Sequence, residues 1–108
     1  MLNLNTLPTT DITTITWEEA PEGFDRTGSL YNIQLADLDG IQLIIGHDID
    51  THKSSIAAEI EGHWYDTQTT QDWPVFDRLF GRKAWQAFVA EHTAQAIAEI
   101  DADLDDEE

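Results

Sequence analysis

Two stretches rich in aliphatic and β-branched residues, Leu30–Asp37 and Ile41–His47, are separated only by Leu38-Asp39-Gly40. So short a link turns the second stretch back antiparallel along the first. A three-residue hairpin loop places a type I turn before a left-handed residue. Gly40 suits that last position because it has no Cβ to clash. With this loop, Leu35 stands opposite Leu43 and Ile33 opposite Ile45, and Tyr31 extends the apolar face that they form.

The flanking segments supply more strands and a cover. Ser55–Tyr65 alternates, with Ile56, Ala58, Ile60, Gly62 and Trp64 on one side and Glu59, Glu61, His63 and Tyr65 on the other. That pattern predicts a half-buried strand over 55–65 with an acidic outer face. His47–Lys53 reads as a polar turn, and Ile12–Trp17 as a short strand with Ile15 and Trp17 on one face. Residues 1–11 read as a loosely tied, Thr-rich lead-in, and Asp66–Asp72 as a loop. Glu18–Ser29, punctuated by Pro21, Gly23 and Gly28, reads as a loop carrying Glu18, Glu19, Glu22 and Asp25.

Asp72-Trp73-Pro74 marks a helix start, with Asp72 as N-cap and Pro74 in the first turn. Val75, Phe76, Leu79 and Phe80 follow at helical spacing, and Gly81 either kinks the helix or ends it. Trp85, Phe88, Val89, His92, Ala96, Ile97 and Ile100 then form one apolar stripe. The expectation is an α+β fold: an antiparallel meander of three to four strands (12–17, 30–37, 41–47, 55–65) covered by a helix over 74–102, broken near Gly81. Residues 1–100 form one domain. Residues 101–108 are expected to fray into an acidic tail, because their carboxylates oppose the helix dipole.

The chain has 108 residues, 22 Asp and Glu against 5 Lys and Arg, and a net charge of −17. Such charge repels nucleic acid and anionic membranes and steers cationic partners. Four tryptophans give a small core enough buried area without disulfides, and the absence of cysteine excludes thiolate chemistry and Cys-ligated zinc. Met1–Asn5 does not read as a secretory signal, and no apolar run approaches the roughly 20 residues that cross a bilayer. A cytoplasmic location is expected.

Sites of chemistry are sparse. Ser29, Ser54 and Ser55 lie outside any Gly-x-Ser-x-Gly motif, and the six glycines are too scattered for a phosphate-binding loop. Asp37-Leu38-Asp39-Gly40 lacks the later acids of a calcium loop. Glu59 and Glu61 would lie about 7 Å apart on one strand face, an ordinary solvated pair in a chain with little room for a sugar cleft. Arg78, Arg82 and Lys83 read as partners for nearby acids. The metal candidate is the His47–His52 turn, where His47, Asp50 and His52 could be joined by His63 to hold Zn²⁺ or Ni²⁺. The competing reading is a polar turn whose aspartates accept backbone hydrogen bonds. The reading implies no cofactor and no enzyme.

The acidic surface itself carries the functional expectation. Carboxylates spread over a rigid scaffold can imitate the spaced phosphates of nucleic acid and occupy a basic groove. In small size, extreme acidity and want of a catalytic constellation, the chain resembles phage-encoded anti-CRISPR and anti-restriction inhibitors. The resemblance is one of kind, so it assigns no residue. Glu18, Glu19, Glu22, Asp25, Glu59 and Glu61 are the expected contacts, on a partner that is a basic, nucleic-acid-binding protein. An immunity protein against a cognate toxin would need the same surface. High-salt cytoplasms also select acidic, Lys-poor chains. A monomer and a homodimer through a sheet edge or the helix stripe both fit the pattern.

Overall fold

The computed structural model describes residues 3–21, 23–24 and 28–105. Its centre is the expected hairpin, built as β2 (Leu30–Leu38) and β3 (Ile41–Asp48). The turn is one residue tighter than expected. Leu38 pairs with Ile41, and Asp39 and Gly40 alone form the turn with φ of 52° and 87°. Two left-handed residues make a mirror-image turn that matches the twist of the strands, and Asp is among the few side chains that tolerate that conformation. The Asp37 Oδ1 accepts the Gly40 N–H at 3.0 Å.

This change moves the register by one residue. Ala36, not Leu35, faces Leu43, and Gln34, not Ile33, faces Ile45. Because side chains alternate, Leu35 passes to the opposite face of the sheet with Ile44. A bulge between Tyr31 and Gln34, with Asn32 at φ 53°, inserts one residue and brings Tyr31 opposite His47.

The stretch read as one strand over 55–65 is two. β4 (Lys53–Ile60) turns at Glu61-Gly62, φ 54° and 81°, into β5 (His63–Asp66). Trp64 therefore lands opposite Glu59, and Tyr65 opposite Ala58. The strand expected over 12–17 is instead a 3-10 turn at Ile12–Thr14, because the Asp11 carboxylate captures the Thr13 N–H at 3.0 Å. The first strand, β1 (Glu18–Glu19), pairs with Leu35 and Gln34. The sheet is a five-stranded antiparallel meander in chain order.

The N-terminal segment is tied down rather than loose. Leu7 and Ile12 are buried, the Leu79 carbonyl accepts the Thr10 N–H at 2.7 Å, and the Arg78 carbonyl accepts from the Thr9 hydroxyl at 3.0 Å. Arg78, expected to pair with acids, donates to the carbonyls of Leu7 and Asn5 instead. Arg82 does find an acid: it donates to both oxygens of Asp77, at 2.7 and 2.6 Å, and lies 4.7 Å over the Trp73 ring.

α1 (Trp73–Phe80) and α2 (Arg82–Asp105) are separated by Gly81 at φ 87°, where a side chain would be strained. Asp72 precedes α1 without capping it, because its Oδ2 accepts the Asp66 N–H at 3.0 Å. α2 continues past residue 102 into the expected tail. Ala98 and Ala102 are strong helix formers and favour this continuation against the unfavourable dipole contact there. Residues 106–108 of that tail lie outside the described residues.

Both helices pack on one face of the sheet. Leu43, Ile45, Ile56 and Ala58 from the strands and Phe76 and Leu79 from α1 are fully buried there. Trp85 completes this core edge-on to Trp73, with ring centroids 5.3 Å apart, and Trp17 stacks on Phe88 at 5.6 Å. Each fully buried aliphatic or aromatic side chain contributes about 1.5–3 kcal/mol. Among the described residues, no helix is long and apolar enough to cross a membrane.

Candidate functional site

Strand alternation fixes what the other face of the sheet presents. Across the strands it carries Asp37, Gln42, Glu59 and Trp64 in one row, and Glu18, Leu35, Ile44, Ala57 and Asp66 in the next. Gly46 and Ser55 follow, with Ile33 and Leu30 lying over Gly46 at 3.6 and 3.7 Å from where a Cβ would stand. Asp48 and Lys53 end the face. An apolar centre is thus bordered by carboxylates at both ends.

Two depressions mark this face. One, of about 540 Å³, is lined by Glu18, Asp37 and Glu59 together with Leu35 and Gln42. The other, of about 360 Å³, is lined by Phe24, Ile44, Ala57, Trp64 and Asp66. Trp64 is 50% exposed and Phe24 41%. Burial holds the Asp66 carboxyl above the usual carboxylate range, and Asp72 adds repulsion in the same direction. A cation brought to Asp66 would pull it back toward that range.

The acids expected to bind a partner divide. Glu18 and Glu59 meet across the larger depression, joined by Asp37, which the sequence pattern places only in a hairpin. Glu19 pairs with Gln34 and alternates to the other side of β1. Glu61 stands in the β4–β5 turn, not on the strand face beside Glu59. Glu22 and Asp25 lie outside the described residues. The signal that could have found Trp64 is Gly62: a residue followed by glycine between two strand patterns is also the mark of a two-residue hairpin.

The metal candidates are not brought together. His47 is buried on the covered face, while Asp50 and His52 are exposed in the β3–β4 turn. His63 pairs with Ile60 at the other end of β4, about 23 Å of strand away from that turn. The turn closes on itself: the Asp48 Oδ1 accepts from Asp50 N–H at 2.8 Å and Thr51 N–H at 3.3 Å, and the Asp48 carbonyl accepts from His52 N–H at 2.8 Å. Among the described residues no three His, Asp or Glu converge as metal ligands would.

Under the helices, the polar residues form a different constellation. His47 from β3, Ser54 from β4 and His92 from α2 meet, each less than a tenth exposed. Ser54 Oγ lies 2.6 Å from His92 Nδ1 and 3.1 Å from His47 Nδ1, while His92 Nε2 is 3.0 Å from the Asn32 carbonyl. A carbonyl can only accept, so His92 carries its proton on Nε2 and its Nδ1 accepts from Ser54. Ser54 then accepts from His47 Nδ1–H, which leaves His47 Nε2 a bare lone pair. That atom is buried and has no partner among the described residues.

This chain of bonds requires a neutral His92, whose Nδ1 must accept, whereas His47 Nδ1–H can donate to Ser54 in either charge state. Burial depresses the pKa of both imidazoles. His52 adds repulsion at His47, where Asp48 acts the other way, and at His92 the bond to Asn32 does the same. Ser54 has its O–H committed to one ring and a lone pair to the other, so the node is a structural hydrogen-bond relay and not an exposed nucleophile. His92 appears in the sequence as one more position of the apolar stripe, and its hydrogen-bond partners Ser54 and Asn32 lie 38 and 60 positions away.

No protein-family model matches the chain, and neither a curated protein nor a solved structure matches it.

Proposed function

We propose that this protein is an acidic inhibitor that binds a basic protein surface and blocks the nucleic-acid-binding site of a nuclease or host-defence complex. In this reading it is a DNA mimic of the anti-CRISPR or anti-restriction kind, encoded by a phage or mobile element and acting in the cytoplasm. The observation that carries it is the groove lined by Glu18, Asp37 and Glu59, with no Lys or Arg among its lining residues. The net charge of −17 supplies the long-range attraction that brings such a surface to a cationic groove. Carboxylates held on paired strands keep their spacing without the entropy cost of ordering a loop.

Capture of target complexes from host lysate on the immobilised protein, washed with rising salt and with duplex DNA, tests the reading. A nuclease or defence complex should be retained, released as salt rises and displaced by DNA. The triple substitution Glu18→Lys, Asp37→Lys, Glu59→Lys should weaken its retention at least tenfold while the protein stays folded. Unchanged retention by that variant would overturn the assignment. So would a wild-type chain that folds only in molar salt, because the acidity would then be an adaptation to solvent.

A further inference from the structure

The two helices pack against one face of the sheet, while on the other Phe24 and Gln68 reach the smaller depression from loops and Thr16 reaches the larger. That open face is not an ordinary solvated one. A half-exposed Trp64, the exposed Phe24, and Ile44 and Ala57 form a continuous apolar centre, although the chain has 22 acids with which to make the face polar. Exposed aromatic side chains grouped around a depression are the usual anchors of a protein interface, where they bury much area at little cost in rotamer entropy.

The border says what kind of partner fits. Glu18, Asp37 and Glu59 stand on one side of the apolar centre and Asp48 and Asp66 on the other. Lys53 is the one cation in these rows among the described residues. A second copy docked on this face would stack those carboxylates on their own equivalents, adding to the repulsion of a chain already at −17. Nucleic acid meets the same repulsion. A cationic protein surface does not, and its charge would offset the desolvation of Asp66, which lines the apolar depression itself.

Resting on the reading above that the partner is basic, we propose that the open sheet face is the docking surface. Its occupant is a cationic protein surface with an apolar centre: one apolar side chain seats in the depression formed by Trp64, Ile44 and Ala57, and flanking arginines or lysines lie over Asp66 on one side and Glu59, Asp37 and Glu18 on the other. Such a surface differs from a pure phosphate mimic in how it responds to salt. Screening removes the ionic share of the binding and leaves the apolar share. Part of the affinity therefore persists where a purely electrostatic contact would be lost.

Two labelled peptides test this in solution. One carries a central Phe between Gly spacers and three Arg on each side, and the other replaces the Phe with Gly. Wild-type protein should bind the Phe peptide roughly tenfold more tightly than the Gly peptide at 0.3 M salt, as expected for one buried aromatic anchor. Trp64→Thr should erase that tenfold preference and leave the Gly peptide's affinity unchanged. Glu18→Lys with Glu59→Lys should weaken both peptides, and Glu91→Lys with Glu99→Lys, on α2, should weaken neither by more than twofold.

The failures separate. If both peptides bind equally and depend on Glu18 and Glu59, the apolar centre seats no partner side chain: the inference falls, and the acidic-inhibitor reading stands. If neither peptide binds, or if the α2 variant weakens them as much as the sheet variant, the acidic-inhibitor reading falls with it. Sedimentation of the wild type at 100 μM, an arbitrary concentration of about the order at which weak dimers form, supplies a last check. A dimer that Trp64→Thr dissociates would overturn the proposal in favour of a second copy as the occupant.

Discussion

The two faces of the sheet are built from the same strands by the same alternation, yet they end in opposite states. On the covered face Leu43, Ile45, Ile56 and Ala58 are fully buried against α1 and α2, and His47, Ser54 and His92 are joined there in a polar relay. On the open face, one residue along each strand, Ile44 and Ala57 are only partly buried and Trp64 is half exposed among carboxylates. Hydrophobicity alone therefore does not decide which face becomes core. The faces are sorted by which one meets the Phe76–Leu79–Trp85 surface of the helices. The apolar residues left over, Ile44, Ala57 and Trp64, lie outside the core that the helices close.

The sharpest way to break this contrast is to cut into the covered face. Leu43→Ala removes a fully buried side chain between the sheet and the helices and should cost about 2–5 kcal/mol. Phe76→Ala should cost about 3–5 kcal/mol. Urea titration followed by circular dichroism reads both. A loss below about 1 kcal/mol for Leu43→Ala would mean that the helices do not close on this face.

The polar relay on the same face gives a pH signature of its own. Both imidazoles have depressed pKa values in the folded chain, so the unfolded chain binds more protons below the ordinary value of 6.5. Stability from the relay is complete above that pH and is lost as pH falls through it toward the folded values. Wild type should lose more stability than His92→Gln between pH 7.5 and 5.5, because protonation of the buried ring in the fold is disfavoured. The charged groups around the relay, Asp48 and His52 near His47 and Glu99 near His92, are present in both proteins. Relief of the general negative charge by acid also acts on both, so the difference isolates the relay. Parallel pH curves would mean that His92 is solvated or already charged in the fold.

Much of this architecture is legible in the residues because it rests on local rules. The Leu30–Asp37 and Ile41–His47 strands, the Gly81 break and the helical stripe follow from alternation, 3.6-residue spacing and one glycine, although Ile97 of that stripe is exposed. The departures are one-residue slips in turns. Sequence pattern puts Leu38 in the loop and Glu61-Gly62 in a strand. Each slip exchanges the two faces for the residues beyond it, placing Leu35 with Leu43 and Trp64 with Ile60. Since the candidate site is defined by one face, the slips hide Trp64 and Asp37, although Glu18 and Glu59 stand out in the sequence as surface acids. The His47–Ser54–His92 relay depends on how α2 crosses the sheet. No local pattern carries that, and by local pattern His47 reads as a turn ligand instead.

The β4–β5 turn is where the two faces are decided for Trp64, and it can be loosened directly. Gly62 sits at φ 81°, so Gly62→Ala should cost about 1–2 kcal/mol through the left-handed conformation alone, with open space around the added Cβ. Glu61, at φ 54°, bears part of the same strain. Glu61→Asn should stabilise by a few tenths of a kcal/mol, because Asn-Gly is the preferred pair for this turn. If both changes are neutral in urea titrations, the turn is wider than two residues. Trp64 would then belong on the covered face after all.

The smallest expected effect on folding belongs to Trp64. Trp64→Thr keeps a β-branched residue in β5 and removes an indole that is half exposed and stands across from Glu59. Its effect on folding should stay within about 0.5 kcal/mol, although Trp is the largest of the side chains and Leu43→Ala removes far fewer atoms for several times the cost. A loss of 2 kcal/mol or more would make Trp64 part of a second core, and the open face would be structural. A loss within the expected range, together with a lower affinity for cationic partners, would place that indole's contribution in binding.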